Sequence, residues 1–251
     1  MTSTENEAED VREWQYEPAK DQNQSLTELL QGFPREPHLW MYALRTSAAL
    51  IIRSWMKLYH RFEIRGKERL PIGKSFIMVA NHQSHLDTLC LVSAIPLRNI
   101  HRAFPAAAAD YFFKGLPSSA FSSIVVNGLP FKRQARGAES LVLCRELLRN
   151  KGNILIIFPE GTRTTDGSPG VFKPGIGLLC SGTDIPIIPC YLEGAYESLP
   201  KGAWFPKPSK LILHIGESRV YDDNDAGRET FQHIASDLED AVFSLKPTLL
   251  K

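Results

Sequence analysis

Four short, mainly apolar runs constrain this chain more than anything else in it: Phe76–Val79, Asn153–Phe158, Ile185–Tyr191 and Leu211–Ile215. Each is bounded by turn-forming or polar residues and is too short for a stable helix, so each reads as a buried strand. Between and after them, apolar residues recur at helical spacing. Leu86, Leu89, Cys90 and Ala94 form one such set, and Leu141, Cys144, Leu147 and Leu148 a second, closed by Gly152. Phe231, Ile234, Leu238, Val242 and Leu245 form a third. Strands alternating with helices predict an α/β fold with a mostly parallel central sheet covered by helices on both faces. Further strands are expected near Ile100–Phe104 and Ser123–Val126, with a helix around 110–114. No internal repeat and no domain boundary is visible after residue 62.

In open α/β sheets, ligands bind beyond the carboxyl ends of the strands. Three of those ends carry reactive side chains here. The run ending at Val79 gives way to Asn81-His82-Gln83-Ser84-His85-Leu86-Asp87. His82 therefore falls where a strand hands over to a helix, and Asp87 in that helix's first turn, where the helix dipole favours a carboxylate. An imidazole oriented by a carboxylate is the minimum apparatus for removing a proton from a hydroxyl near neutral pH. The strand ending at Phe158 leads into Pro159-Glu160-Gly161-Thr162-Arg163. Gly161 would let backbone approach a ligand closely, and the Arg163 guanidinium is a planar fork suited to phosphate. A third strand end leads into Phe131-Lys132-Arg133-Gln134-Ala135-Arg136, three cations within five residues. Ile185-Pro186-Ile187-Ile188-Pro189 reads as a wall of the core or of an acyl pocket.

Charge separates the ends of the chain. Residues 1–36 hold nine acidic and three basic side chains and few aliphatics, which predicts a disordered tail. The other 215 residues hold 26 basic and 19 acidic side chains, a balance that suits an anionic partner. Residues 37–62 contain no acidic residue after Glu36. Trp40, Leu44, Ala48, Ile51, Ile52, Trp55 and Tyr59 share one helical face, with Arg45, Arg53, Lys57 and Arg61 on the other flank. Such a basic amphipathic helix suits a membrane interface, and the missing carboxylates favour that reading, although the same pattern fits a helix packed on the core with a solvated charged face. Residues 63–251 are expected to form the catalytic domain. No charge-free apolar run approaches the ~18 residues of a bilayer span, and the acidic N-terminus is unlike a secretory signal. The four cysteines show no Cys-x-x-Cys or zinc spacing, so buried thiols in a reducing compartment are expected.

Taken in order, Asn81-His82-Gln83-Ser84-x-x-Asp87, Phe131-Lys132-Arg133, Phe158–Arg163 and Ile185–Pro189 resemble the four blocks of the glycerolipid acyltransferase family. The nearest likeness is to its 1-acylglycerol-3-phosphate (lysophosphatidate) branch, and it covers roughly residues 60–220. The resemblance implies an O-acyltransferase of phospholipid biosynthesis that moves a fatty acyl group from acyl-CoA or acyl carrier protein to a lysophospholipid acceptor. The carrier is a co-substrate, and no cofactor, metal or nucleic acid is implied. It implies His82 as general base, Asp87 as its orienting partner, and Arg133 and Arg163 as ligands of the acceptor phosphate. Glu160, Gly161 and Thr162 would line the acceptor site. The expected location is the cytoplasmic face of a membrane, as a peripheral or monotopic protein.

Rival readings fare worse. The chain contains no Gly-x-Ser-x-Gly elbow to present Ser84 as a nucleophile. Gly170-x4-Gly175 has phosphate-loop spacing but is followed by Ile176 instead of Lys. A metal at His82, His85 and Asp87, a different lysolipid acceptor, and a non-catalytic membrane-binding module of the same fold are the remaining alternatives.

Overall fold

A computed structural model describes residues 39–108, 127–131, 137–222 and 227–247. Strand β2 (Phe76–Ala80) is the centre of the fold, and all five of its side chains are buried. Because side chains alternate along a strand, it feeds two separate cores. Phe76, Met78 and Ala80 pack with Ile154 and Ile156 of β5 (Ile154–Ile157) on one face of the sheet. Ile77 and Val79 pack with Leu155 and Ile157 on the other. Helices α1 (Leu39–Tyr59) and α2 (Leu86–Ala94) cover the first face through Ala49, Met56, Leu86, Cys90 and Leu91. Helices α3 (Gly137–Arg149), α4 (Gly175–Cys180) and α6 (Arg228–Phe243) cover the second through Cys144, Leu148, Ile176, Ile234 and Leu238. The expected sheet covered on both faces is present.

The other strands are β1 (Glu63–Arg65), β3 (Ala103–Ala108), β4 (Leu129–Phe131), β6 (Thr183–Glu193), β7 (Ile212–Ile215) and β8 (Arg219–Tyr221). A short helix, α5 (Ala195–Ser198), follows β6. The sheet order is β1-β7-β6-β2-β5-β3-β4, with β8 also on β6. From β6 to β4 every neighbour is parallel, whereas β7 and β8 run antiparallel to β6. Pro189, which has no amide to donate, falls where β6 exchanges one antiparallel partner for the other: β8 pairs at Ile187 and β7 begins at Cys190. One register positions the site. Phe76 pairs with Ile154 and Val79 with Ile157, so β2 and β5 end side by side and their loops leave the same edge.

Several elements differ from the sequence expectation. After Pro96 the chain forms a 3-10 helix over Leu97–Arg102, which turns Ile100 into the core, and β3 starts only at Ala103. Strands β1 and β8 are three residues long, too short to carry a pattern. The helix around 110–114, the strand at 123–126 and the tail at 1–36 lie outside the described residues.

Helix α1 corrects the reading of its charges. Arg45 and Arg53 were expected on a solvated flank, but Arg45 is buried and Arg53 half-buried. The Arg53 guanidinium donates to the carbonyls of Val92 and Ile95, at the C-terminal end of α2. A cation there answers orphan carbonyls and the negative end of the helix dipole. The buried face of α1 therefore runs through Met41, Arg45, Ala49 and Met56, with Ile52 and Trp55 of the expected apolar face packed partly against the core, while Leu44 and Ile51 of that face, and Leu58 beside it, are exposed.

Candidate active site

The exit of β2 is fixed by a side chain that imitates backbone. Asn81 accepts from the Leu192 amide at 2.7 Å and donates to the Leu192 carbonyl at 3.0 Å, extending the β2–β6 ladder beyond its last backbone pair. The chain then turns into α2, and Asp87 in the first helical turn reaches back. Its Oδ2 accepts from the amides of Gln83 at 2.6 Å and Ser84 at 2.8 Å, and lies 3.0 Å from His82 Nδ1. Asp87 is fully buried and lies at the positive end of α2, so an acceptor-only carboxylate is held there. Nδ1 must therefore carry the proton of the neutral ring, which leaves the Nε2 lone pair as the base.

The loop after β5 fixes His82 from the other side. Phe158 stacks on the imidazole at 4.1 Å between centroids and 15° between planes. Glu160 Oε1 accepts from the His82 amide at 2.8 Å, and the Thr164 amide donates to the His82 carbonyl at 3.0 Å. Glu160 is itself buried against Gly170, where an added Cβ would lie 2.4 Å from Oε2. Burial pushes its carboxyl up to about 7, helped by the charge of Asp87 and opposed by amide hydrogen bonds from His82 and Gly170. This carboxylate, expected to line the acceptor site, is engaged with the His82 amide behind the imidazole.

Arg163 approaches the same place from β5. His85 is pulled down to about 4, first by burial and then by the charges of Arg163 and His82, so it stays neutral at neutral pH. Gly161 has φ +73°, and a Cβ there would meet the Lys173 ammonium at 2.6 Å. Thr162 is exposed beside them. His82, Asp87, Glu160, Gly161, Thr162 and Arg163 thus share one sheet edge, whereas Arg133 lies outside the described residues. Sequence reasoning missed the structural use of Asn81, the stacking of Phe158 and the placement of Lys173. The first two lie inside the motifs. Lys173 does not, because only the folded loop brings it over Gly161.

This arrangement can take a proton from a hydroxyl on an anionic molecule. The nearby nucleophiles are otherwise committed: the Ser84 hydroxyl donates to the Leu199 carbonyl at 2.9 Å, and burial raises the Cys90 thiol well above its usual range. Among the described residues, no three His, Cys, Asp or Glu side chains converge as a metal site requires.

The acyltransferase family model matches residues 61–193, just over half of the chain and both loops of the site. The chain belongs to the acyltransferase family. It is similar to a chloroplastic 1-acyl-sn-glycerol-3-phosphate acyltransferase of Brassica napus, at 30% identity over 165 residues, 64% of this chain and 44% of the relative. The 1-acyl-sn-glycerol-3-phosphate acyltransferase alpha of Mus musculus is 31% identical over 160 residues, 62% of this chain and 53% of that protein. The chain therefore spans about half the length of these relatives. The crystal structure of the 1-acyl-sn-glycerophosphate (LPA) acyltransferase PlsC from Thermotoga maritima superposes with a TM-score of 0.64 at 27% identity, covering 84% of this chain and 81% of that one.

Proposed function

We propose that this acyltransferase transfers a fatty acyl group from acyl-CoA or acyl carrier protein to the sn-2 hydroxyl of 1-acylglycerol-3-phosphate, forming phosphatidate. The observation that carries the reading is the His82–Asp87 pair at the shared ends of β2 and β5, the edge from which the loop carrying Arg163 also leaves. His82 Nε2 takes the hydroxyl proton as the oxygen attacks the thioester carbonyl. Asp87 keeps the ring in the productive tautomer and stabilises the imidazolium. When the tetrahedral intermediate collapses, the C–S bond breaks, and the departing thiolate recovers the proton from the imidazolium. Phosphatidate and the free thiol of the carrier are the products. No covalent enzyme intermediate is needed. Arg163 and Lys173 hold the acceptor phosphate, with Arg133 assigned to the same task by the family resemblance. Glu160 acts behind the histidine, fixing its backbone. Acceptor and product are lipids, so the protein works at a membrane surface, which we take to be the cytoplasmic face. No helix among the described residues is long and apolar enough to cross a bilayer.

The test is to incubate the purified chain with lysophosphatidate and either acyl-CoA or acyl carrier protein and to follow phosphatidate by mass spectrometry. Product with one carrier is expected. Acylation of a different lysolipid in its place would reassign the acceptor, and no product from any lysolipid with either carrier would remove the catalytic reading.

A further inference from the structure

Among the described residues, the two most exposed large hydrophobic side chains are adjacent aromatics: Trp204 is 92% and Phe205 83% exposed. They crown a turn between α5 and β7 whose base is held rigidly. The Ala203 amide donates to the Pro200 carbonyl at 3.0 Å, and the Lys207 amide to the Ser198 carbonyl at 2.8 Å. The Ser198 hydroxyl donates to the Lys207 carbonyl at 2.9 Å, and Pro200, Pro206 and Pro208 stiffen the flanks. Two adjacent exposed rings form a contiguous apolar patch, and such patches mark interaction surfaces where lone exposed side chains do not.

The turn is joined to α1. The Tyr59 hydroxyl donates to the Pro206 carbonyl at 3.0 Å. On α1, Leu44, Ile51 and Leu58 follow one another at seven-residue intervals, so they form a single line along the helix, with Ile51 70% and Leu58 81% exposed. It is also joined to the active site: the carbonyl of Leu199, where the turn begins, accepts from Ser84, two residues from His82. Charge favours one kind of partner. Residues 199–210 carry Lys201 and Lys207 and no carboxylate, their third lysine, Lys210, being paired with Glu63 at 2.7 Å, and residues 39–62 carry no carboxylate either. Aromatic rings at a tip flanked by lysines fit the interface of an anionic bilayer, rings among the acyl chains and ammonium groups at the phosphates.

We propose that the Trp204–Phe205 turn is a second membrane-docking element, which completes with the outer line of α1 a surface that seats the His82 loop on an anionic phospholipid bilayer. The proposal rests on the reading that the acceptor is a membrane lipid. The test compares the natural chain with the Trp204→Ser/Phe205→Ser variant in binding to phosphatidylcholine vesicles with and without phosphatidylglycerol. Turnover of a short-chain, water-soluble lysophosphatidate is measured alongside. The variant is expected to bind vesicles at least about ten-fold more weakly while keeping turnover of the soluble acceptor. Lys201→Gln/Lys207→Gln should weaken binding only where phosphatidylglycerol is present. Unchanged vesicle binding by the aromatic variant would overturn the proposal. So would an equal loss of soluble turnover, or a dimer of the natural chain in lipid-free buffer that the variant dissolves. Loss of vesicle binding in a chain inactive on every lysolipid would leave the docking surface standing and remove the proposed reaction instead.

Discussion

The loop between β2 and α2 and the outer face of α1 lie on the same side of the sheet and treat their residues in opposite ways. In the loop, buried polar groups are drawn into shared hydrogen bonds, although Asp87 Oδ1 is buried without a partner. Asp87 gathers two amides and the imidazole, Glu160 a third amide, and Asn81 both groups of Leu192. On α1, Leu44, Ile51 and Leu58 are left in solvent, while arginines point inward. The first region is completed by the protein itself and needs only substrate to act. The second is the surface proposed above to meet a lipid bilayer. Preorganisation of the loop matters because hydrogen bonds fixed before reaction need no rearrangement as charge develops.

The comparison predicts that mutations in the loop change chemistry and that mutations on α1 divide by face. His82→Ala should lower kcat/KM by about 10²–10⁴ while the urea midpoint stays close to that of the natural chain. Turnover near the natural level would take the base assignment away. On α1, Met56→Ala should cost about 2–5 kcal/mol of folding stability, because Met56 is fully buried in the core. Ile51→Ser, on the opposite face, should stay within about 0.5 kcal/mol. Equal losses in denaturant titrations of the two variants would mean that the outer face is packed in solution and the contrast is false.

The smallest effect is a dependence on pH. Glu160 holds its proton to about 7 in the fold against an ordinary 4.5, so the folded chain binds more protons over that window and this carboxyl destabilises it as pH rises. His85 works the other way. Its folded value of about 4 lies below the ordinary 6.5, so its contribution is complete above 6.5 and is lost as pH falls toward 4. The two oppose each other where the windows overlap. Glu160→Gln removes the falling component, so the stability of the variant relative to the natural chain should rise by about 1–2 kcal/mol between pH 4.5 and 7. A constant difference across that range would show that Glu160 titrates as an exposed carboxyl does.

Much of this was legible before folding. The short apolar runs announced β2, β5, β6 and β7, and the switch to helical spacing after Asn81 placed Asp87 in a first turn. What stayed hidden depended on partners distant in sequence. Nothing in residues 37–62 reveals that the carbonyls of Val92 and Ile95 wait for Arg53, so a charge that ends a helix looked like a charge in water. Glu160 looked like a ligand of substrate for the same reason, since its amide partner is 78 residues away. The turn at Trp204 has no periodic pattern, and its meaning comes from its exposure, its flanking lysines and its hydrogen bond to α1.

The central claim is that the His82 base and the Arg163 guanidinium act on one acceptor. It is tested most directly by measuring kcat/KM for lysophosphatidate and for the same monoacylglycerol without phosphate, in the natural chain and in Arg163→Ala. The preference for the phosphorylated acceptor should fall about ten- to hundred-fold in the variant, through a raised acceptor KM with kcat largely retained. An unchanged preference, with the loss confined to the acyl donor, would contradict it.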